Sequence, residues 1–168
     1  MPNEVINASW WRWLALSVAV FVLDQITKHM VAADFQLGES KVVFSWFNLV
    51  RAHNSGAAFS FLADAGGWQR GFFIVTTTLI SGILIWMMRG NAGNRWLLIA
   101  FALVIGGAFG NLYDRVVHGY VIDFVQWYIP NSSLPPWPAF NVADAAICAG
   151  AVMLVLDTLR KPKGAEKS

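Results

Sequence analysis

Trp96-Leu-Leu-Ile-Ala-Phe-Ala-Leu-Val-Ile-Gly-Gly-Ala-Phe-Gly-Asn-Leu-Tyr113 contains no charged side chain, and the next two residues are Asp114 and Arg115. A run of this kind approaches the roughly 20 apolar residues that carry a helix across a bilayer. Three more runs share its character, at about Trp10 to Ala32, Gly71 to Met88 and Phe140 to Leu159. The composition agrees: of 168 residues, 57% are hydrophobic and only 13% charged, where soluble domains carry about 25% charged residues. The fold class that follows is an all-α polytopic membrane protein. It is read as one membrane domain over residues 1–168, with helices at 10–32, 71–88, 96–113 and 140–159 and outer loops at 33–70 and 114–139.

Composition also narrows function. A formal net charge of +2 is too small and dispersed for a nucleic-acid partner. A single cysteine, Cys148, excludes an intrachain disulfide and the paired-cysteine zinc patterns. It sits mid-helix and reads as a small core residue. His29, His53 and His118 lack metal-ligand spacing, so no metal is implied. Nine tryptophans and twelve phenylalanines suit aromatic belts at the membrane interfaces. The first apolar run has no convincing cleavage site after it and reads as a retained anchor.

Basic residues near the helix ends set the orientation. The link between helices two and three holds Arg89 and Arg95, and the C-terminal tail holds Arg160, Lys161, Lys163 and Lys167. Both are expected in the cytoplasm, with the N-terminus, and the two longer loops outside. In the first outer loop, Lys41–Arg51 is β-branched and aromatic and reads as a strand. His53-Asn54-Ser55-Gly56 reads as a turn and Ala57–Phe61 as a second strand, giving a small β-hairpin or sheet. Ala63–Gln69 reads as a short interfacial helix. Trp46, Phe47, Phe59 and Phe61 are placed to lie over the membrane and clamp a peptide. Pro130–Pro138 holds four of the six prolines and reads as an irregular, stiff loop. Helix pairs show no internal repeat, which weighs against an inverted-repeat transporter.

On this topology the unusual polar residues gather at one membrane face. Carboxylates there cost roughly 2.5–3.5 kcal/mol each at a helix centre, so they imply function by default. Asp123 is flanked by Val121, Ile122, Phe124 and Val125, which implies that it is held against an apolar surface. Asp144 follows Asn141 by three residues, a capping-box spacing that equally supports a structural role. Two carboxylates brought together share a proton, as in an aspartic-protease dyad; whether these two touch is left open by the sequence. Asp24 and Lys28 stand at i and i+4, an ion pair expected to support the site. Gly106 and Gly110 make a small-xxx-small face for close helix packing. Asn111, Asp114 and Arg115 read as holding the following loop. Asn54 with Gly56 reads as a hairpin turn or as a peptide-facing group.

Five motifs occur in order: Asp24-Gln-Ile-Thr-Lys28, Asn54-Ser-Gly-Ala-Ala-Phe59, Gly106-Gly-Ala-Phe-Gly-Asn-Leu-Tyr-Asp-Arg115, Val121-Ile-Asp-Phe124 and Phe140-Asn-Val-Ala-Asp144. With them the chain closely resembles the bacterial lipoprotein signal peptidases (signal peptidase II), an aspartic-type family of intramembrane endopeptidases, over essentially its whole length. The resemblance implies that Asp123 and Asp144 are the catalytic pair. It implies a supporting ring of Asp24, Asn54, Gly56, Asn111, Asp114, Arg115 and Asn141, which Lys28 joins as the partner of Asp24. It implies cleavage of diacylglyceryl-modified prolipoproteins on the amino side of the lipidated cysteine, and inhibition by the cyclic peptide globomycin. No cofactor is implied. The expected partners are lipidated prolipoproteins and membrane lipids, with no nucleic acid, for a monomer in the bacterial cytoplasmic (inner) membrane. From the residues alone, a small transporter or proton-coupled channel and a non-catalytic assembly factor remain alternatives.

Overall fold

A computed structural model describes residues 10–56 and 66–160. A 3-10 turn at Trp10–Trp13 leads into α1 (Leu14–Asp34). The strands β1 (Ser40–Phe44) and β2 (Phe47–Asn54) follow, then α2 (Trp68–Gly90), α3 (Arg95–Val117), β3 (Val121–Trp127) and α4 (Val142–Arg160). Trp10–Asp34, Trp68–Gly90, Arg95–Val117 and Val142–Leu159 are each long and apolar enough to cross a membrane. The expected class therefore holds: the described residues contain four such helices and a small antiparallel sheet in the order β1-β2-β3.

α3 is the central post, and its glycines explain why. Lipid offers no hydrophobic drive between helices, so close backbone approach and hydrogen bonds must hold them together. A Cβ at Gly106 would stand 2.7 Å from the Ser17 carbonyl oxygen of α1. A Cβ at Gly107 would collide with the Ala143 carbonyl oxygen of α4. Ser17 Oγ donates to Ala102 O at 2.8 Å, and Trp96 Nε1 donates to Met153 O at 2.8 Å, tying α1 and α4 to the same post. α2 packs on α3 away from the polar end, where Met88, Leu97, Leu98, Phe101 and Ile105 form a core.

Helix boundaries differ from the reading by length. α3 continues through Val117, so Asp114 and Arg115 are helical and buried rather than the start of a loop. Their side chains have partners inside the protein, so the helix can continue past the apolar run. It stops where Gly119 takes φ +85° and the N–H groups of His118 and Gly119 both reach Asp114 O, a glycine-ended cap. α4 starts at Val142, later than expected, because Phe140 is held in a β-bridge to Val125.

The sheet also differs. Lys41–Arg51 is two strands, broken at Ser45–Trp46 with Phe44 opposite Phe47. At the break the Phe44 and Trp46 rings stack at 5.6 Å. His53 and Asn54 belong to β2, opposite Ile122 and Val121, so the bend begins only at Ser55. β2 finds its second neighbour in β3, a strand that the reading treated as loop. The strand expected at Ala57–Phe61 lies outside the described residues, as do Phe59, Phe61 and the first part of the expected Ala63–Gln69 helix. Trp68 and Gln69 open α2. Val31 of α1 and Phe35, the residue just after that helix, pack on Phe124 of β3, which seats the sheet on the polar end of the bundle.

Candidate active site

The sheet register places the first carboxylate. Asp123 pairs with Ala52, and a bulge between Leu49 and Ala52 turns this end of β2. Asn54 lies two residues beyond Ala52 on the same face, diagonal to Asp123, within reach of its side chain. Asn54 Nδ2 donates to Asp123 Oδ2 at 3.0 Å. Asn54 Oδ1 accepts from Gly56 N at 3.0 Å, which fixes which end of the amide faces the carboxylate.

The N-terminus of α4 places the second. Asn141 Oδ1 accepts from Asp144 N at 2.9 Å, while Asn141 N donates to Asp144 Oδ2 at 3.3 Å. This is the reciprocal capping box that the spacing implied. The Asn141 amide also faces outward from the cap: its Nδ2 donates to Asp123 Oδ1 at 2.7 Å. One asparagine thus holds both carboxylates. The structural and site readings of Asp144 are therefore compatible, since the cap that starts the helix also aims the carboxylate.

A buried ionic cluster supports the pair. Lys28 is 1% exposed, and its Nζ lies 2.8 Å from Asp24 Oδ2, 2.9 Å from Asp114 Oδ2 and 3.0 Å from Asn111 Oδ1. An ammonium has three donors, and all three are used. With Asn111 Oδ1 committed to Lys28, its Nδ2 is free to donate to Asp144 Oδ1, at 2.7 Å. Asp24 Oδ1 accepts Ala143 N at 2.9 Å, so a side chain from α1 takes one of the unpaired N–H groups at the start of α4. Asp114 Oδ2 accepts Ile122 N at 3.3 Å and so ties β3 to α3. Arg115 donates Nη2 to Gly56 O at 2.6 Å and Nη1 to Asn111 O at 3.2 Å, and its guanidinium stacks over Phe73 of α2 at 4.9 Å. Its buried Nε has no hydrogen-bond partner among the described residues.

All ten residues singled out from the sequence are thus linked by direct contacts at one end of the bundle. Others in the network were not assigned to the site, Gly110 being read only as a packing residue. Gln25 donates Nε2 to Asp114 Oδ1 at 2.9 Å and lies 3.2 Å from Asp24 Oδ2, so it joins the two acids across α1 and α3. Its place beside Asp24 was the available signal. Gly110 leaves room for Asp24, whose Oδ2 would lie 2.5 Å from a Cβ there. Phe73 gave no sequence signal at all.

Asp123 is 2% exposed, and its carboxyl is pushed up to about 7. Burial is the main cause and the nearby Asp144 adds to it; the hydrogen bonds from Asn54 and Asn141 pull the other way. A buried carboxyl with a second carboxyl close by is the setting in which one proton is held between two acids. Beside the pair opens a groove of ≈ 490 Å³. Its polar end presents Asn54, Asn111, Arg115 and Asp144, and the rest is lined by apolar side chains of β3, the Pro-rich segment and α4. No group of three or more potential metal-binding side chains occurs among the described residues.

Known proteins resemble this chain in sequence and in fold. The profile of the signal peptidase (SPase) II family matches residues 16–160. The lipoprotein signal peptidase of Cupriavidus necator is 48% identical over 159 residues, covering 95% of this chain and 89% of the relative. That of Aeromonas hydrophila is 48% identical over 163 residues, covering 96% of each. A bacterial membrane enzyme solved by the in meso method at 2.3 Å superimposes with a TM-score of 0.80 at 28% identity, covering 94% of both chains.

Proposed function

The chain belongs to the signal peptidase II family, and from that premise we propose that it removes signal peptides from diacylglyceryl-modified prolipoproteins through the Asp123–Asp144 pair. It is a peptide hydrolase of the membrane, and the cut falls on the amino side of the lipidated cysteine. The observation that carries the mechanism is the shared asparagine: Asn141 binds both carboxylates beside an open groove.

The pair holds one proton. The ionised carboxyl takes a proton from water as its oxygen attacks the scissile carbonyl carbon. The protonated carboxyl gives its proton to the carbonyl oxygen, forming a neutral tetrahedral intermediate. Collapse breaks the C–N bond, with the proton from the first carboxyl passing to the leaving nitrogen and the hydroxyl proton returning to the second. No covalent enzyme intermediate forms. Arg115 stands at the polar end of the groove, its guanidinium fixed on Gly56 O and Asn111 O, and is suited to face a substrate carbonyl.

The site lies at the extracytoplasmic face of the cytoplasmic membrane, with both termini inside. The arginines Arg89 and Arg95, at the link between α2 and α3 on the opposite end of the bundle, support this orientation. A site at that depth meets the scissile bond without extracting the lipid into water. A transporter would spread carboxylates along a path, whereas these gather at one end.

The test is cleavage of a purified lipid-modified prolipoprotein by the reconstituted protein, with and without globomycin. Asp123→Asn and Asp144→Asn each abolish cleavage while the protein stays folded and inserted. Near wild-type processing by either variant would refute the dyad.

A further inference from the structure

Main-chain hydrogen bonds close the edge of β3 that borders the groove, and this limits what the apolar part of the groove accepts. After β3 the chain returns as a strap. Trp137 N donates to Trp127 O at 2.7 Å. Phe140 N donates to Val125 O at 3.0 Å, and Val125 N donates back to Phe140 O at 2.8 Å. Prolines at 135, 136 and 138 stiffen the strap around Trp137 and carry no N–H of their own. The Trp127 and Phe140 rings meet edge to face at 5.2 Å. Trp127 and Trp137 line the groove and are still 50% and 56% exposed, so the wall they form is open to an incoming molecule.

From this wall the groove passes Asp144 and continues along α4 to Ile147 and Cys148. That is about one helical turn, or roughly 6 Å, toward the apolar middle of α4. A peptide lying in this stretch would find the neighbouring strand edge already paired. Its own N–H and C=O groups would be buried without partners, at a cost of about 1–3 kcal/mol each. A hydrocarbon chain has no such groups, and the indole rings suit the level at which acyl chains begin.

We propose that the Trp127–Trp137 strap and the Asp144–Cys148 turn of α4 form the seat for an acyl chain of the substrate's diacylglyceryl group, with Trp137 determining specificity for chain length. The proposal rests on the reading of the protein as a prolipoprotein peptidase. It divides the groove in two: peptide at the polar end near Asn54 and Arg115, lipid along the aromatic wall.

The test uses full-length protein in detergent micelles and two synthetic lipopeptides of one sequence, carrying either dipalmitoylglyceryl or dibutyrylglyceryl on the cysteine. Wild type has the lower KM for the dipalmitoyl peptide. Trp137→Ala raises that KM about tenfold and leaves kcat, and the KM of the dibutyryl peptide, within about twofold. Cys148→Phe narrows the same groove from α4 and gives the same selective loss, an independent reading if the alanine variant does not fold. Trp86→Ala, on an exposed residue of α2, changes neither substrate. Equal KM shifts on both peptides would mean that Trp137 acts on the part the two peptides share and not on the acyl chain, and would overturn the proposal. So would a fall in kcat alone, or no change in either variant. Cleavage of neither peptide by wild type would overturn the peptidase reading itself, whereas cleavage of both with no selective loss would overturn only the acyl seat.

Discussion

Replacing Lys28 by methionine keeps the length of the side chain and removes its charge, and the structure says what is left behind. Asp24 and Asp114 are 0% and 1% exposed, and both lose a cation that had lain within 3 Å; their carboxylate oxygens sat 2.8 and 2.9 Å from it. Asn111 Oδ1 loses its donor at 3.0 Å and keeps only the longer contact from Asn141 Nδ2 at 3.3 Å, so its amide is held less firmly toward Asp144. Breaking a buried ion pair by removing one partner costs about 3–5 kcal/mol, against a total stability of about 5–15 kcal/mol. For a chain of this size that corresponds to a fall in Tm on the order of 10 °C. Thermal unfolding in detergent, followed by near-ultraviolet circular dichroism, measures it. The triple variant Lys28→Met/Asp24→Asn/Asp114→Asn removes the stranded charges while keeping shape, and should recover more than half of the loss through strong non-additivity. A Lys28→Met variant that melts with wild type, or a triple variant less stable than the single one, would refute the account of the cluster as one charge-balanced unit.

The carboxyl of Asp123 is raised from 3.8 to about 7. Its stabilising contribution is therefore fully present below about pH 3.8 and is lost as pH rises through about 7. The shared proton leaves over the same range, so kcat/KM for a lipopeptide declines above about pH 7, and a flat profile from pH 6 to 9 would contradict this. Gly110→Ala places a Cβ 2.5 Å from Asp24 Oδ2 and 3.1 Å from its Cγ. Overpacking of this kind costs about 1–3 kcal/mol, and unfolding together with cleavage assays should show both stability and activity falling. Gly82→Ala, where nothing lies within 4 Å, is the matched control and should be neutral or slightly stabilising. Asn141→Ala removes the side-chain cap of α4, at about 1 kcal/mol, and takes the Nδ2 donor from Asp123 Oδ1, while the backbone N–H still reaches Asp144 Oδ2. Its cleavage rate should fall at least about a hundredfold while its Tm shifts by only a few degrees, and a proportionate small loss in both would show that Asn141 is merely a cap.

The buried polar end is expensive, which is why it is so completely satisfied. Four helices in lipid gain little from burying apolar surface against one another. Here the polar contacts join elements distant in sequence: Asp24 of α1 to Ala143 of α4, Lys28 of α1 to Asp114 of α3, and Asn54 of β2 to Asp123 of β3. The same contacts that position the carboxylates hold the helices and sheet together. Substitutions of Asp24, Lys28 and Asp114, which join the helices, should therefore affect stability and activity jointly.

Local chemistry determined much of this protein. Apolar runs of sufficient length dictate spanning helices, because a backbone in lipid must satisfy its own hydrogen bonds. Asn141 and Asp144, three residues apart, dictate a capping box, and Asp24 and Lys28 dictate an i,i+4 pair. Each of these acts within one turn of helix, so it is legible in the chain. Tertiary structure alone decided that Asp123 meets Asn141, that Asp24 reaches across to α4, and that β3 exists as a strand. Val121–Trp127 becomes a strand because β2 offers it an edge, and α3 runs on to Val117 because Lys28 and Gly56 lie waiting for Asp114 and Arg115. Those partners lie tens of residues away, and a residue's own sequence carries no record of what packing will bring to it.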